Sequence, residues 1–212
     1  DFQTAIDTAR RIDSKSSHLA FALSGLALVR FDQARFEDAL ALFQEAQAIE
    51  RSLLPPGHPR VIALAANVAR CLLALERVAE SDAPSAEALA GFERLYGASS
   101  PELVAPLVTR ASFERARRNV VAQEALLRRA AALVRAAPEL ARPQDAWCLN
   151  DLGTLLFGSA RGAEARTVMA EALAIARRPS TLSPRQFATT LLNAADVEVS
   201  YAEAAAIALS AG

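Results

Sequence analysis

Pro59, Pro101 and Pro143, each placed to open a helix, stand 42 residues apart. Small residues keep the same step. Ala27, Ala69, Ala111 and Gly153 form one column, and Ala46, Ala88, Ala130 and Ala172 form another. A period of this size marks a stack of helical hairpins, because each unit is too small to bury its own apolar face and must lean on its neighbours. The expected fold is therefore an all-α array of antiparallel helix pairs. Function is to be sought on a long, shaped surface rather than in a catalytic pocket.

Composition agrees. Alanine supplies much of the 52% hydrophobic content while aromatics are only 6%, and alanine loses no side-chain entropy in a helix. The 8 glycines are mostly scattered, which argues against a loop-rich β fold. A net charge of −1, from 23 basic and 24 acidic residues, gives no field that would draw nucleic acid or an anionic membrane. The longest uncharged run, Ser16 to Val29, is too short and too interrupted by Ser and Gly to span a bilayer. No signal peptide is visible at Asp1, although the chain opens inside a helical pattern. Cys71 and Cys148 fall in predicted helices of non-adjacent repeats and read as buried, reduced thiols, which suits a cytoplasmic protein. Lys15 is the only lysine, and the bias toward arginine and alanine is that of a GC-rich bacterial genome.

The clearest unit begins near His18. Leu19, Leu23, Leu26, Ala27 and Arg30 follow helical spacing, the chain breaks around Asp32 to Arg35, and Phe36, Ala39, Leu40, Phe43, Ala46 and Ile49 resume it. The connection Leu54-Pro55-Pro56-Gly57-His58-Pro59 cannot continue a helix. A second pair is expected over about Arg60 to Glu76 and Pro84 to Tyr96, with Ser100 as N-cap of the next helix. The third pair should end at about Arg118 and run again from Val121 to Ala136; the fourth covers Asp145 to Phe157 and, after a turn at Gly158 to Gly162, continues to Arg178. Ser183-Pro184-Arg185-Gln186 carries a capping-box pattern, but Val197 to Ala204 is short for a full hairpin. The expected division is 1–15 as the second helix of a preceding repeat, 16–57, 58–99, 100–141 and 142–182 as four repeats, and 183–212 as an irregular or partial fifth. Neither end reads as a polar cap, so a segment of a longer protein is expected.

Within the units, Leu26-Ala27, Phe36, Ala39, Phe43 and Ala46 give a large-small pair, an aromatic at the turn, then Ala, Phe, Ala; Leu152-Gly153, Ala165, Met169 and Ala172 repeat the order. This resembles the tetratricopeptide repeat. The 42-residue step and the Gly57-His58-Pro59 connection are similar to its kinesin-light-chain variety. The resemblance implies a right-handed α-solenoid whose first helices line a concave groove, and a structural role for His58. It also implies a non-enzymatic module that binds a peptide or a partner domain. The alternative is a regulatory or sensory segment of a larger bacterial signalling protein, fused to a kinase, a caspase-like protease or a transcription regulator, with its main contacts to another domain of the same chain.

The third unit departs from the pattern. Arg110 and Glu114 stand in columns held elsewhere by Leu26 and Leu72, Gln123 replaces the Ala39-type residue, and Pro106 should kink its first helix or delay its start. Such breaks in local consistency mark either a loose repeat or a specialised position in the array.

No cofactor is expected. His18 and His58 are the only histidines, no Cys/His cluster has metal-ligand spacing, and no glycine loop could cradle a phosphate. Mapped through the resemblance, the groove positions are Asn67 and Arg70 from the second unit and Thr109, Ser112 and Arg115 from the third. The fourth contributes Trp147, Asn150, Asp151 and Thr154, and the fifth Asn193 and Asp196. Side-chain amides suit a peptide groove because they donate and accept at once, and Trp147 would be a flat anchor. Arg70 favours a carboxylate-bearing ligand, whereas Asp151 and Asp196 favour a basic stretch. Asn67, Arg70, Asn150 and Asn193 are expected to face one concavity.

Overall fold

The computed structural model describes residues 2–13, 15–142, 145–178 and 191–198. Pro143, the Ser183 to Gln186 capping pattern and residues 199–204 of the short last hairpin lie outside these. All regular elements among the described residues are helical. The chain forms two compact units, 1–120 and 121–212.

The first unit contains α1 (Phe2–Ile12), α2 (Ser17–Asp32), α3 (Phe36–Leu53), α4 (Pro59–Ala74), α5 (Val78–Tyr96) and, after a 3-10 turn at Pro101–Leu103, α6 (Val104–Ala116). α2 packs on α3 and α4 on α5 as hairpins, α3 packs on α4, and α4 lies beside α6. Ser16 caps α2, its hydroxyl accepting from Leu19 N at 3.3 Å. At α4 the His58 ring Nδ1 accepts from Arg60 N, Pro59 occupies the first turn, and Gly57 supplies the positive φ of 85° that the reversal needs. Ser100 does cap the next element, accepting from Glu102 N.

Inside the hairpins Leu23, Ala27, Ala39, Phe43, Ala46, Ala69 and Leu72 are buried, while Leu26 is only half-buried at the edge of that cluster. One boundary differs markedly from the sequence reading. α5 starts at Val78, not near Pro84, which sits inside the helix. Burial of Ser81, Ser85, Ala88 and Gly91 along one face carries the helix through the backbone hydrogen bond that proline cannot make. In the third unit Pro106 is buried in the first turn of α6, and the 3-10 turn precedes the α-helix there.

The turns within hairpins share one geometry. Ala34, Glu76, Arg118 and Ala160 all have φ between 58° and 59°. In each case the following amide reaches back to close a wide loop, Arg35 N to Arg30 O, Arg77 N to Leu72 O, Asn119 N to Glu114 O and Arg161 N to Leu156 O. A second bond closes the inner loop from the left-handed residue itself, for example Ala34 N to Phe31 O. These are Schellman ends, repeated every 42 residues without a glycine.

The second unit contains α7 (Val120–Ala136) from its second residue on, a 3-10 turn at Pro138–Leu140, α8 (Ala146–Gly158), α9 (Gly162–Ala176) and a helix over 191–198. α8 and α9 pair closely: a Cβ on Gly153 would lie 2.8 Å from the Met169 methyl carbon, so only glycine gives this approach without moving Met169. Leu149, Leu152, Leu156, Ala165, Val168 and Ala172 fill the pair. Between α7 and α9, Arg128 and Arg161 each bridge Glu124 and Glu164 in a closed ring of four charges. The hydrogen bonds with the arginines hold both carboxylates below the usual range.

Candidate binding surface

In the first unit α2, α4 and α6 supply the wall on which the sequence-predicted residues fall. A hollow of about 250 Å³ is lined by Phe31 of α2, Arg70 of α4, and Val108, Thr109, Ser112 and Arg115 of α6. Four expected groove residues, Arg70, Thr109, Ser112 and Arg115, thus meet around one depression. Phe31 is an addition. Its ring stands edge-on to Phe36 at 5.1 Å and carries the Arg70 guanidinium 4.7 Å above its centroid.

Local structure sets these side chains. Thr109 is nearly buried and donates its hydroxyl to Ala105 O at 3.0 Å, which leaves its oxygen able to accept. Arg70 donates to Asn67 Oδ1 one turn earlier at 3.3 Å. Arg70 is exposed as a residue, yet the surrounding chain removes enough water to lower its pKa, against the opposite pull of Cys71 and Asp32. It remains a cation at neutral pH.

Asn67 faces a second hollow, of about 330 Å³, with Phe21 and Ser24 of α2, Ala63 of α4, Glu50 of α3 and Arg60. The two depressions follow one another along α4. Phe21, Leu28 and Phe31 share a helical face of α2 at seven- and three-residue spacing, and Phe21 is 77% exposed. A reading of polar columns alone passes over this apolar stripe.

In the second unit Asn150 is buried and accepts from Asn193 Nδ2 at 3.0 Å, so two of the expected groove amides bind each other. Thr154 is exposed and donates to Asn150 O at 2.9 Å. Trp147 and Asp151 are half-buried on α8, and Asp196 is exposed on the helix over 191–198.

The odd columns of the third repeat are paired rather than loose. Arg110 bonds Asp82 Oδ1 at 2.6 Å and Ser85 Oγ at 3.1 Å, lies 4.2 Å over the Phe113 ring, and approaches Glu114 at 3.4 Å. Glu114 in turn accepts from Asn119 Nδ2 at 2.9 Å. Among the described residues no group of His, Cys, Asp or Glu is placed to hold a metal ion, and no helix is long and apolar enough to cross a membrane.

Two family models match, both described as tetratricopeptide repeat, over residues 18–94 and 146–178, together just over half of the chain. This chain belongs to the tetratricopeptide-repeat family. Repeats of this family generally mediate protein–protein interaction. A comparison with curated proteins returns no match. Among solved structures, BtubC (BKLC) from P. vanneervenii is similar with a TM-score of 0.70 at 18% identity, over 87% of this chain and 74% of that one. A putative kinesin light chain of nearly identical TPR-like repeats from Podosopora anserina is similar with a TM-score of 0.66 at 21% identity, over 89% and 90%. A singly substituted variant of that protein aligns over 92% of both chains, with the same TM-score and identity. These tetratricopeptide structures share the fold class read from the sequence, an α-solenoid of antiparallel helix hairpins.

Proposed function

We propose that this tetratricopeptide segment binds an extended peptide, or an extended segment of a partner domain, along α2, α4 and α6 of its first unit, with a carboxylate of the ligand held between Arg70 and Arg115. The observation that carries this reading is the convergence of Arg70, Thr109, Ser112 and Arg115 on one depression floored by Phe31. The arginines give charge-assisted bonds to a carboxylate, the two hydroxyls can serve a peptide backbone, and the apolar stripe of α2 takes side chains between polar contacts. No step of chemistry is assigned to the site. It acts by recognition.

Panning a random heptapeptide display library on the purified protein tests it. Recovered sequences should be enriched in Asp and Glu, and their binding should fall about tenfold or more in Arg70→Ala and Arg115→Ala at unchanged helical circular dichroism. Equal binding by wild type and both variants would move the site elsewhere.

A further inference from the structure

The hollow beside Asn67 holds a charge that its own neighbours serve poorly. The Glu50 side chain is only 4% exposed, and a carboxylate so buried needs close, charged donors. Those it meets are long, Ser17 Oγ at 3.3 Å and Arg60 Nη1 at 3.5 Å. Charge-assisted bonds close to about 2.7–2.9 Å when geometry allows. Arg60 stands in the first turn of α4 and lines the hollow, but its side chain is 60% exposed and reaches Glu50 only at 3.5 Å. At about 330 Å³ the hollow has room for a guanidinium and its stem. Phe21 offers an exposed ring beside it. Ser24 donates to Ala20 O at 2.8 Å and so presents its lone pairs as an acceptor.

We infer that this hollow is a subsite for an arginine side chain of the bound peptide, with Glu50 as its counter-ion, Phe21 stacked on the guanidinium and Ser24 as a further acceptor. Arginine fits better than lysine because a planar, weakly hydrated cation can stack and bond at once. Arg60 is the chain's own competitor for Glu50. The inference rests on the peptide reading above and adds a spacing to it. The α4 residues that line the two hollows centre about nine residues apart, which is roughly 13 Å of helix. An extended chain covers that in about four residues. The ligand therefore carries an arginine and an acidic residue four positions apart.

The probes are the blocked pentapeptides Ac-Arg-Ala-Ala-Ala-Asp-NH2, its citrulline analogue (the same shape without the charge) and its lysine analogue. Each is titrated into the ¹⁵N-labelled chain and followed by amide shifts. The arginine peptide should move the Ser24 and Asn67 amides and bind about tenfold more tightly than the citrulline peptide. Glu50→Gln should erase that difference, and Phe21→Ala, an exposed change that leaves the core intact, should reduce it. Arg60→Gln should tighten the arginine peptide, a gain that a purely structural Glu50–Arg60 pair would not give. Equal affinity for arginine and citrulline peptides, with Arg70 still required, overturns the subsite and leaves the groove reading standing. Arginine preference through Glu50 without any need for Arg70 or Arg115 does the reverse. Lysine binding as tightly as arginine overturns the guanidinium assignment, and no shift with any peptide at millimolar concentration overturns the subsite.

Discussion

Arg110 reaches back 28 residues to Asp82, with its Nη1 nitrogen 2.6 Å from the carboxylate Oδ1. The same guanidinium approaches Glu114 on its own helix, whose side chain is 9% exposed while that of Arg110 is 19% exposed. Removing the arginine leaves Glu114 buried beside the Asn119 amide, a donor that carries no charge. Arg110→Ala should therefore destabilise the fold by about 3–5 kcal/mol, as loss of one member of a buried pair does. The double change Arg110→Leu with Glu114→Leu restores the apolar columns of the other repeats and should be neutral or stabilising. Urea denaturation of both variants decides the matter. A double variant as weak as the single one would show that the network is needed as such.

The hairpin turns give a second expectation. Ala34 and Ala160 hold φ values of 59° and 58°, which cost a residue with a Cβ roughly 1–2 kcal/mol. Glycine relieves that strain but adds freedom to the unfolded chain. Ala34→Gly and Ala160→Gly should each raise stability by a net amount of about 0.5–1 kcal/mol, read as a higher thermal midpoint. A lower midpoint would mean that the Cβ makes a contact worth more than the strain.

These turns also explain how far the sequence can be read. The 42-residue columns expose the hairpins because Ala27, Ala69 and Ala111 are forced small by close helix approach, and that constraint is written in residue type. The left-handed turn is written only in position, since an alanine, a glutamate and an arginine all hold it at Ala34, Glu76, Arg118 and Ala160. Sequence places the start of α5 too late because Pro84 is a helix breaker by local preference, whereas its helix is held by packing. At the candidate site, Arg70, Thr109, Ser112 and Arg115, which line one hollow, are positions that the family resemblance implies for the groove. Phe21, Phe31 and Glu50 are not. An exposed aromatic and a buried carboxylate each look ordinary in sequence and acquire meaning only from the hollows between helices.

Core packing supplies a third test. Leu152 is fully buried between α8 and α9. Leu152→Ala should cost about 2–5 kcal/mol, with the cavity adding to the lost transfer energy. Chemical denaturation with an unchanged midpoint would show that Leu152 does not pack as described.

The last expectation concerns the thiols. Cys71 and Cys148 are buried and free, and burial pushes them up to about 11 and about 12 respectively. At about pH 8 both stay protonated in the fold, so they should resist a thiol reagent until the protein opens. The sign with pH follows from the same shifts. An unfolded cysteine has released half of its protons near pH 9, while the folded one still keeps them. Rising pH therefore favours the unfolded chain, and the contribution present below pH 9 is lost progressively up to about pH 11–12. Cys71→Ala with Cys148→Ala should flatten that alkaline fall relative to wild type, measured as denaturation midpoints from about pH 8 upward. Identical slopes for the two proteins would place the alkaline sensitivity on other groups.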